Sequence, residues 1–185
     1  MTQTIIPRPV AWVLSEHENG KYNLAPFSYF NAVCSEPPIL SISVGHKKDG
    51  FKKDTWLNIE LRSHFVVHIP RVHHVHHVLQ SAESLPQGES EIDQCGLDLA
   101  DFDGLPLPRL ATAPIAYYCK KYDIVPLGVG PQALILGEIY KVYLAEDIIT
   151  GTNASRVPEI SSNAINPLAR LGANGFAKIE EFKVD

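Results

Sequence analysis

A cluster of lysines marks the segment of the chain best suited to bind an anion. The chain has 16 basic residues and a net charge of −5, and four of the basic residues lie within seven positions: Lys47, Lys48, Lys52 and Lys53. They separate a predicted strand from a helix predicted at 55–62, with Asp54 as its N-cap. Because a helix N-terminus offers free N–H groups and partial positive charge, the segment, with the hydroxyl of Thr55, predicts a site for a terminal phosphate. The alternative is a solvated basic turn in which Asp54 only caps the helix.

A second segment combines aromatic, small and polar residues along one predicted strand. It covers residues 23–33, NLAPFSYFNAV, and Pro26 removes a backbone donor from what otherwise reads as a central strand. A strand bent in this way exposes backbone amides beside aromatic side chains and can face a flat heteroaromatic ligand. An ordinary strand with a kink explains the same residues equally well, and on this pattern alone it is the preferred interpretation.

Histidines and cysteines are the remaining residues with metal or redox chemistry. His73, His74, His76 and His77 include pairs three and four apart, which share a helix face and have the spacing of Zn or Cu ligands. The interleaved valines already form a buried stripe, so we expect these histidines to face solvent or an interface and to form no physiological metal site. Three widely spaced cysteines, Cys34, Cys95 and Cys119, indicate reduced thiols.

Short apolar segments separated by turn residues predict a mainly β protein. Asn19-Gly20 predicts a hairpin turn, and Gly137 predicts a bulge or bend within a long strand. The predicted strands are 10–14, 22–33, 39–44, 65–69, 113–119, 132–145 and 176–184, and the predicted helices are 55–62 and 71–79. Segment 80–112 is turn-rich. Many strands without strand–helix alternation favour an antiparallel barrel.

Composition narrows the classes of function. A length of 185 residues predicts one domain, residues 1–185. The net charge of −5 argues against nucleic-acid binding by phosphate neutralisation. The sequence has no apolar run of ~18 residues and no signal-peptide pattern, so we expect a cytoplasmic protein without membrane contact. Gly128-Val129-Gly130 lacks the third glycine of a dinucleotide fingerprint.

Together these residues resemble the flavin reductase-like family of FMN-binding split barrels. The matching segments follow the family's order over most of the chain: 7–14, 23–33, Pro37-Pro38, 53–58, 65–70, Gly96-Leu97, Gly137-Glu138 and 167–172. The resemblance implies a six-stranded antiparallel Greek-key split β-barrel with short flanking helices, and a homodimer with FMN at its interface. It also implies hydride transfer from NADH or NADPH to flavin, in some relatives to supply a monooxygenase partner with reduced flavin.

The resemblance assigns FMN-binding residues by position. They are Trp12, Phe27, Ser28, Tyr29, Asn31, Ala32, His46, Lys53, Asp54, Thr55, Asn166, Arg170 and Leu171. Residues 53–55 match the segment near the flavin phosphate, residues 27–32 the strand along the isoalloxazine ring, and residues 166–171 the segment that closes the site. No catalytic side chain is expected, because N5 of the flavin accepts the hydride. The alternatives are an FMN-dependent reductase of another acceptor, such as ferric iron or a quinone-like compound, and a flavin-binding protein without turnover.

Overall fold

The computed structural model describes residues 1–182, and strands predominate, with 46% strand against 16% helix. The strands are β1 Arg8–Pro9, β2 Ala11–Glu16, β3 Tyr22–Phe27, β4 Phe30–Ser35, β5 Pro38–Gly45, β6 His64–Ile69, β7 Leu99–Ala100, β8 Arg109–Leu110, β9 Ile115–Leu127, β10 Gln132–Leu144, β11 Ile149–Thr152, β12 Pro158–Ile160, β13 Leu168–Gly172 and β14 Gly175–Lys178. The α-helices are α1 Asp54–Arg62, α2 Val75–Gln80, α3 Glu91–Cys95 and α4 Ser162–Ile165, with 3₁₀ turns at Val72–His74 and Glu146–Ile148. Among residues 1–182, no helix has the length and apolar character that crossing a membrane requires.

One seven-stranded antiparallel sheet forms the body of the protein and corrects the expected six-stranded barrel. Its order is β3-β2-β6-β9-β10-β5-β4. The two end strands, β3 and β4, are consecutive in the chain and joined only by Ser28 and Tyr29, without a ladder between them in the described residues. The predicted strand 22–33 is therefore two strands, broken after Phe27 rather than at Pro26. Because β3 is an end strand and not a central one, the missing donor of Pro26 is tolerated.

Alternating side chains of the sheet supply two hydrophobic cores. In β2, Trp12 belongs to one core and Val13 to the other, because successive strand residues point to opposite faces. The inner core joins Phe27 of β3 to Ile42 of β5, strands far apart in the sheet order, so the sheet curls around it. Helix α1 packs into the inner core, while α2 and α3 cover the outer one. The curl brings the two ends of the sheet together at the Ser28–Tyr29 connection.

Two glycine-dependent features predicted from the sequence are confirmed. Gly20 has a φ of +80° in the turn between β2 and β3, a conformation that favours glycine. Gly137 lies at a register shift between β10 and β9, and a Cβ there would overlap the ring of Phe65. Strand β9 is longer than predicted: the sequence pattern ends it at residue 119, and in the structure it continues to Leu127.

A smaller sheet joins the two ends of the chain. Its order is β1-β13-β14, and Arg8 of β1 is the register partner of Arg170 of β13. Strand β14 ends at Lys178, whereas the prediction ran to 184, and residues 183–184 lie outside the described residues. The predicted helix 71–79 is a 3₁₀ turn followed by α2.

Candidate functional site

A groove crosses the end of β3 and its connection to β4. It consists of three adjoining depressions that all include Pro26. Residues 53–55 line one side, here called the lysine end, and Arg8 and Arg170 line the other, here called the arginine end. Apolar side chains border the middle, among them Val10, Leu79 and Phe176. The predicted site residues that the groove brings together are Phe27, Ser28, Tyr29, Lys53, Asp54, Thr55 and Arg170.

The lysines of the basic segment differ in whether their charge is already neutralised. Lys47 is paired with Asp54 at 2.8 Å, and Lys52 with Glu60 at 2.7 Å. Lys53 has no ion pair among residues 1–182, and its Nζ lies 5.6 Å from the centre of the Phe27 ring. Desolvation by the surrounding protein lowers the pKa of Lys53. Lys53 therefore brings an unneutralised charge to the groove.

The start of α1 also faces the lysine end, although its cap differs from the prediction. The helix begins at Asp54, so Lys53 and not Asp54 is the N-cap residue. The Lys53 side chain makes no cap hydrogen bond, and no other side chain of residues 1–182 caps the first turn, so its N–H groups are available to an anion. Asp54 instead uses its carboxylate to hold Lys47.

Buried hydrogen bonds hold α1 in position against the sheet. Thr55 is 1% exposed, and its Oγ1 accepts from Asn23 Nδ2 at 2.9 Å, so its own hydrogen remains available. Asn23 also donates to Ser15 Oγ at 3.3 Å, and Asn58 donates to the same oxygen at 3.2 Å. This network fixes the helix N-terminus relative to the groove.

Arg8 is the main residue of the arginine end that sequence reasoning missed. It is only 6% exposed. Its Nη1 donates to the carbonyl oxygens of Thr2 at 2.6 Å and Ile5 at 2.7 Å, and its Nε donates to Ser28 Oγ at 3.3 Å. Arg8 lies in the matching segment 7–14, but its burial depends on β13, which is more than 150 residues away in the chain.

Glu91 is a second missed residue, buried at the lysine end. It is 5% exposed and accepts a hydrogen bond from the backbone N–H of Leu24 at 2.9 Å. Burial raises the pKa of Glu91 to about 7, and no ion pair offsets this among residues 1–182. It begins a short helix in the turn-rich segment, where no periodic pattern signals burial.

The remaining predicted residues lie outside the groove within one chain, and their roles stay predictions. They are Trp12, Asn31, Ala32, His46, Asn166 and Leu171. Trp12 is fully buried in the outer core, where its Nε1 donates to Ser81 Oγ at 2.9 Å. The His46 ring packs against Trp56 at 5.2 Å, and its Nδ1 lies 2.6 Å from the Gly50 carbonyl oxygen.

The histidine run contains a buried member, which corrects the expectation that its side chains face solvent or an interface. His74 is 3% exposed, lies 5.7 Å from the Trp12 ring, and accepts from the Arg71 N–H through Nδ1 at 3.0 Å. Burial lowers the pKa of His74 to about 4. Within the part of the chain that the structure describes, no group of three or more His, Cys, Asp or Glu side chains could hold a metal ion.

The chain is similar to a known protein family, to curated proteins and to solved structures. Residues 2–157 match the family model described as flavin reductase like domain. An uncharacterized protein of Halalkalibacterium halodurans is 34% identical over 98% of this chain and 86% of its own length. Nitrilotriacetate monooxygenase component B from Bacillus cereus has a TM-score of 0.88 at 34% identity, covering 99% of this chain and 90% of that chain. The 2-nitrobenzoate 2-nitroreductase of Pseudomonas fluorescens has a TM-score of 0.86 at 29% identity, covering 100% of this chain and 87% of that chain.

Proposed function

The chain belongs to the flavin reductase like domain family, and on that premise we propose that it binds FMN in the groove and transfers hydride from NADH or NADPH to flavin. Family membership and the two solved relatives support flavin-related oxidoreductase chemistry. FMN binding in the groove, with hydride transfer from NADH or NADPH, is inferred in addition from the charges and surfaces of the groove.

The unneutralised charge at the lysine end is the observation that carries the proposal. Lys53 lacks an ion pair among residues 1–182 and stands at the uncapped start of α1. A cation beside free helix N–H groups is the donor set that a phosphate ester requires. The hydroxyl of Thr55 adds a donor. These residues fit the phosphate of FMN, and riboflavin would leave them unused.

The middle of the groove fits a flat aromatic ring. Residues 26–28 line it, together with the apolar side chains of Val10, Leu79 and Phe176. When bound, FMN supplies the hydride acceptor, its N5 atom. The chain's own task is then to bind and orient the ring and to exclude water, which agrees with the apolar side chains that border the middle of the groove.

A homodimer would complete the site. The hairpin of β9 and β10 exposes Tyr122, Tyr140 and Val142, and the end strand β4 exposes Val33. Apolar residues beside a strand edge are the surface that a two-fold partner covers. In such a dimer Asn166 and Leu171, which lie outside the groove of their own chain, would close the groove of the other copy.

Delivery of reduced flavin to a monooxygenase is the further role we propose. The name of the Bacillus cereus relative, a monooxygenase component, supports it. The two chains match over nearly their full lengths.

Flavin titration and steady-state kinetics test the proposal together. We expect the purified protein to bind FMN and to oxidise NADH or NADPH with FMN as acceptor, faster than with riboflavin or a ferric chelate. A protein that takes up no FMN would refute the proposal. FMN binding without nicotinamide oxidation would retain the flavin site and refute the reductase activity.

A further inference from the structure

Arg8 and Arg170 stand opposite each other on neighbouring strands. They are register partners in the β1–β13 ladder. Directly opposed residues have Cβ atoms about 4.5–5.5 Å apart on one face of a sheet, and like charges in that position are destabilising. Desolvation, and then the charge of Arg8, lower the pKa of Arg170. Among residues 1–182 neither guanidinium forms an ion pair with a carboxylate.

Both guanidinium groups are already held in place by the chain. Arg170 Nη1 donates to the Gly175 carbonyl at 3.0 Å, its Nη2 donates to the Ala173 carbonyl, and the group lies 4.6 Å from the centre of the Phe176 ring. Arg8 is fixed through its Nη1 and Nε. Within the described residues, Nη2 of Arg8 and Nε of Arg170 have no acceptor. Two unneutralised arginines, each with an unused N–H group, therefore line one depression.

We propose that Arg8 and Arg170 form an anion-binding site that takes the carboxylate of a small organic acid. Each arginine retains one unused donor position, a carboxylate has two acceptor oxygens, and planar guanidinium groups bind such oxygens with defined geometry. The depression has a volume of about 400 Å³, which suits a small ligand. It is lined by Ser28 and Ser43, whose hydroxyls can add hydrogen bonds.

The acid would extend from the arginine end into the groove. The depression shares Phe27 and Ser28 with the apolar middle of the groove, so the body of the ligand lies beside the surface where we place the cofactor ring. Only the position of the acid beside the flavin ring rests on the proposed function. Binding of the carboxylate rests on the two arginines alone and requires no flavin.

Calorimetric titration with benzoate and its neutral analogue benzamide tests the site. We expect saturable binding of benzoate and none of benzamide, both by flavin-free protein and by protein loaded with FMN. In the loaded protein, benzoate should perturb the flavin absorbance without releasing FMN. Failure to load FMN would refute the proposed function, while the flavin-free titration would still decide the anion site.

Arg170→Gln should weaken benzoate binding about 10-fold or more, because a charge-assisted hydrogen bond is lost. Arg109→Gln is the matched control, since Arg109 also stacks on a ring, at 3.5 Å from Tyr143, and donates to a backbone carbonyl. Its benzoate affinity should equal that of the wild type. If Arg170→Gln lowers the melting temperature too far, Arg170→Lys keeps the charge, loses the planar fork and should still weaken binding.

Four results of the benzoate titrations would overturn the site, and a fifth, FMN release, would reassign it. They are no saturable benzoate binding by the wild type, equal binding of benzamide, unchanged affinity in a folded Arg170 variant, and displacement of benzoate by inorganic phosphate at equal concentration. Release of FMN by benzoate would instead make the arginine pair part of the flavin site, and would equally exclude a separate acid site.

Discussion

Replacing Lys53 by alanine should separate the affinity for FMN from the affinity for riboflavin. The two flavins differ by the phosphate, and Lys53 is the lysine at the groove without an ion pair among residues 1–182. A charge-assisted hydrogen bond contributes about 1.5–3 kcal/mol, so its loss should weaken FMN binding about 10- to 100-fold. Riboflavin makes no phosphate contact, so its dissociation constant should stay unchanged.

Lys52→Ala provides the matched control for this substitution. Lys52 is the preceding residue, but both oxygens of Glu60 already bind its ammonium group, at 2.8 and 2.7 Å. Its removal changes the net charge by the same amount and should leave FMN affinity nearly unchanged. Lys47 is a poorer control, because its loss would leave the Asp54 carboxylate without its cation at the start of α1.

Titration of each flavin into each variant, monitored by flavin fluorescence, gives the dissociation constants of the four variant–flavin pairs. Repeating the titrations in salt should reduce the preference for FMN, since the Debye length falls from about 10 Å at 0.1 M to about 3 Å at 1 M. Equal losses for FMN and riboflavin in Lys53→Ala would show that the residue supports the ring or the fold. No loss for either would favour the solvated basic turn. A loss in Lys52→Ala as large as that in Lys53→Ala would mean that only the total charge matters.

Three further outcomes are expected. Light scattering should give the mass of a dimer, and a monomer with full FMN affinity would contradict a site that two copies complete. Glu91 is buried with its pKa raised from 4.5 to about 7, so its contribution to stability is lost as pH rises through this window. In urea denaturation, the free energy of unfolding of Glu91→Gln should therefore rise by about 3 kcal/mol relative to that of the wild type between pH 4.5 and 7. A difference between the two proteins that stays constant with pH would refute the raised pKa. Gly137→Ala should cost about 1–3 kcal/mol, because the new methyl meets the buried Phe65 ring, and an unchanged urea midpoint would show that the ring moves aside freely.

Local signals in the sequence predicted much of the sheet. Asn19-Gly20 and Gly137 act through their own backbone freedom, so the hairpin and the irregular β10 were correctly predicted. The end of β9 was missed because residues 120–127 are largely exposed and include two lysines, an aspartate and a proline, and their strand conformation depends on pairing with β10. The expected number of strands in the main sheet, six instead of seven, was wrong for a similar reason. The break at Ser28–Tyr29 depends on the closure of the whole sheet.

The lysine end of the site was more predictable than the arginine end. Lys53 and Thr55 stand beside a helix start that capping and charge patterns locate to within one residue. Arg8 and Glu91 carry no such local signal, because their burial results from contacts with distant parts of the chain, β13 for Arg8 and β3 for Glu91. That Lys47 and Lys52 are paired while Lys53 is not also depends on side-chain geometry that spacing does not contain.

The division of the protein into two cores gives each face of the sheet its own fluorophore. The chain has two tryptophans, and Trp12 lies in the outer core while Trp56 lies in the inner one. Replacing either by phenylalanine leaves a single indole whose emission follows one face alone. Trp56 also lies on α1, 5.0 Å from Lys52 and within the helix whose start borders the groove. Its emission therefore reports on the lysine end of the groove, while that of Trp12 reports on the outer core, to which Val10 and Phe176 at the middle of the groove also belong.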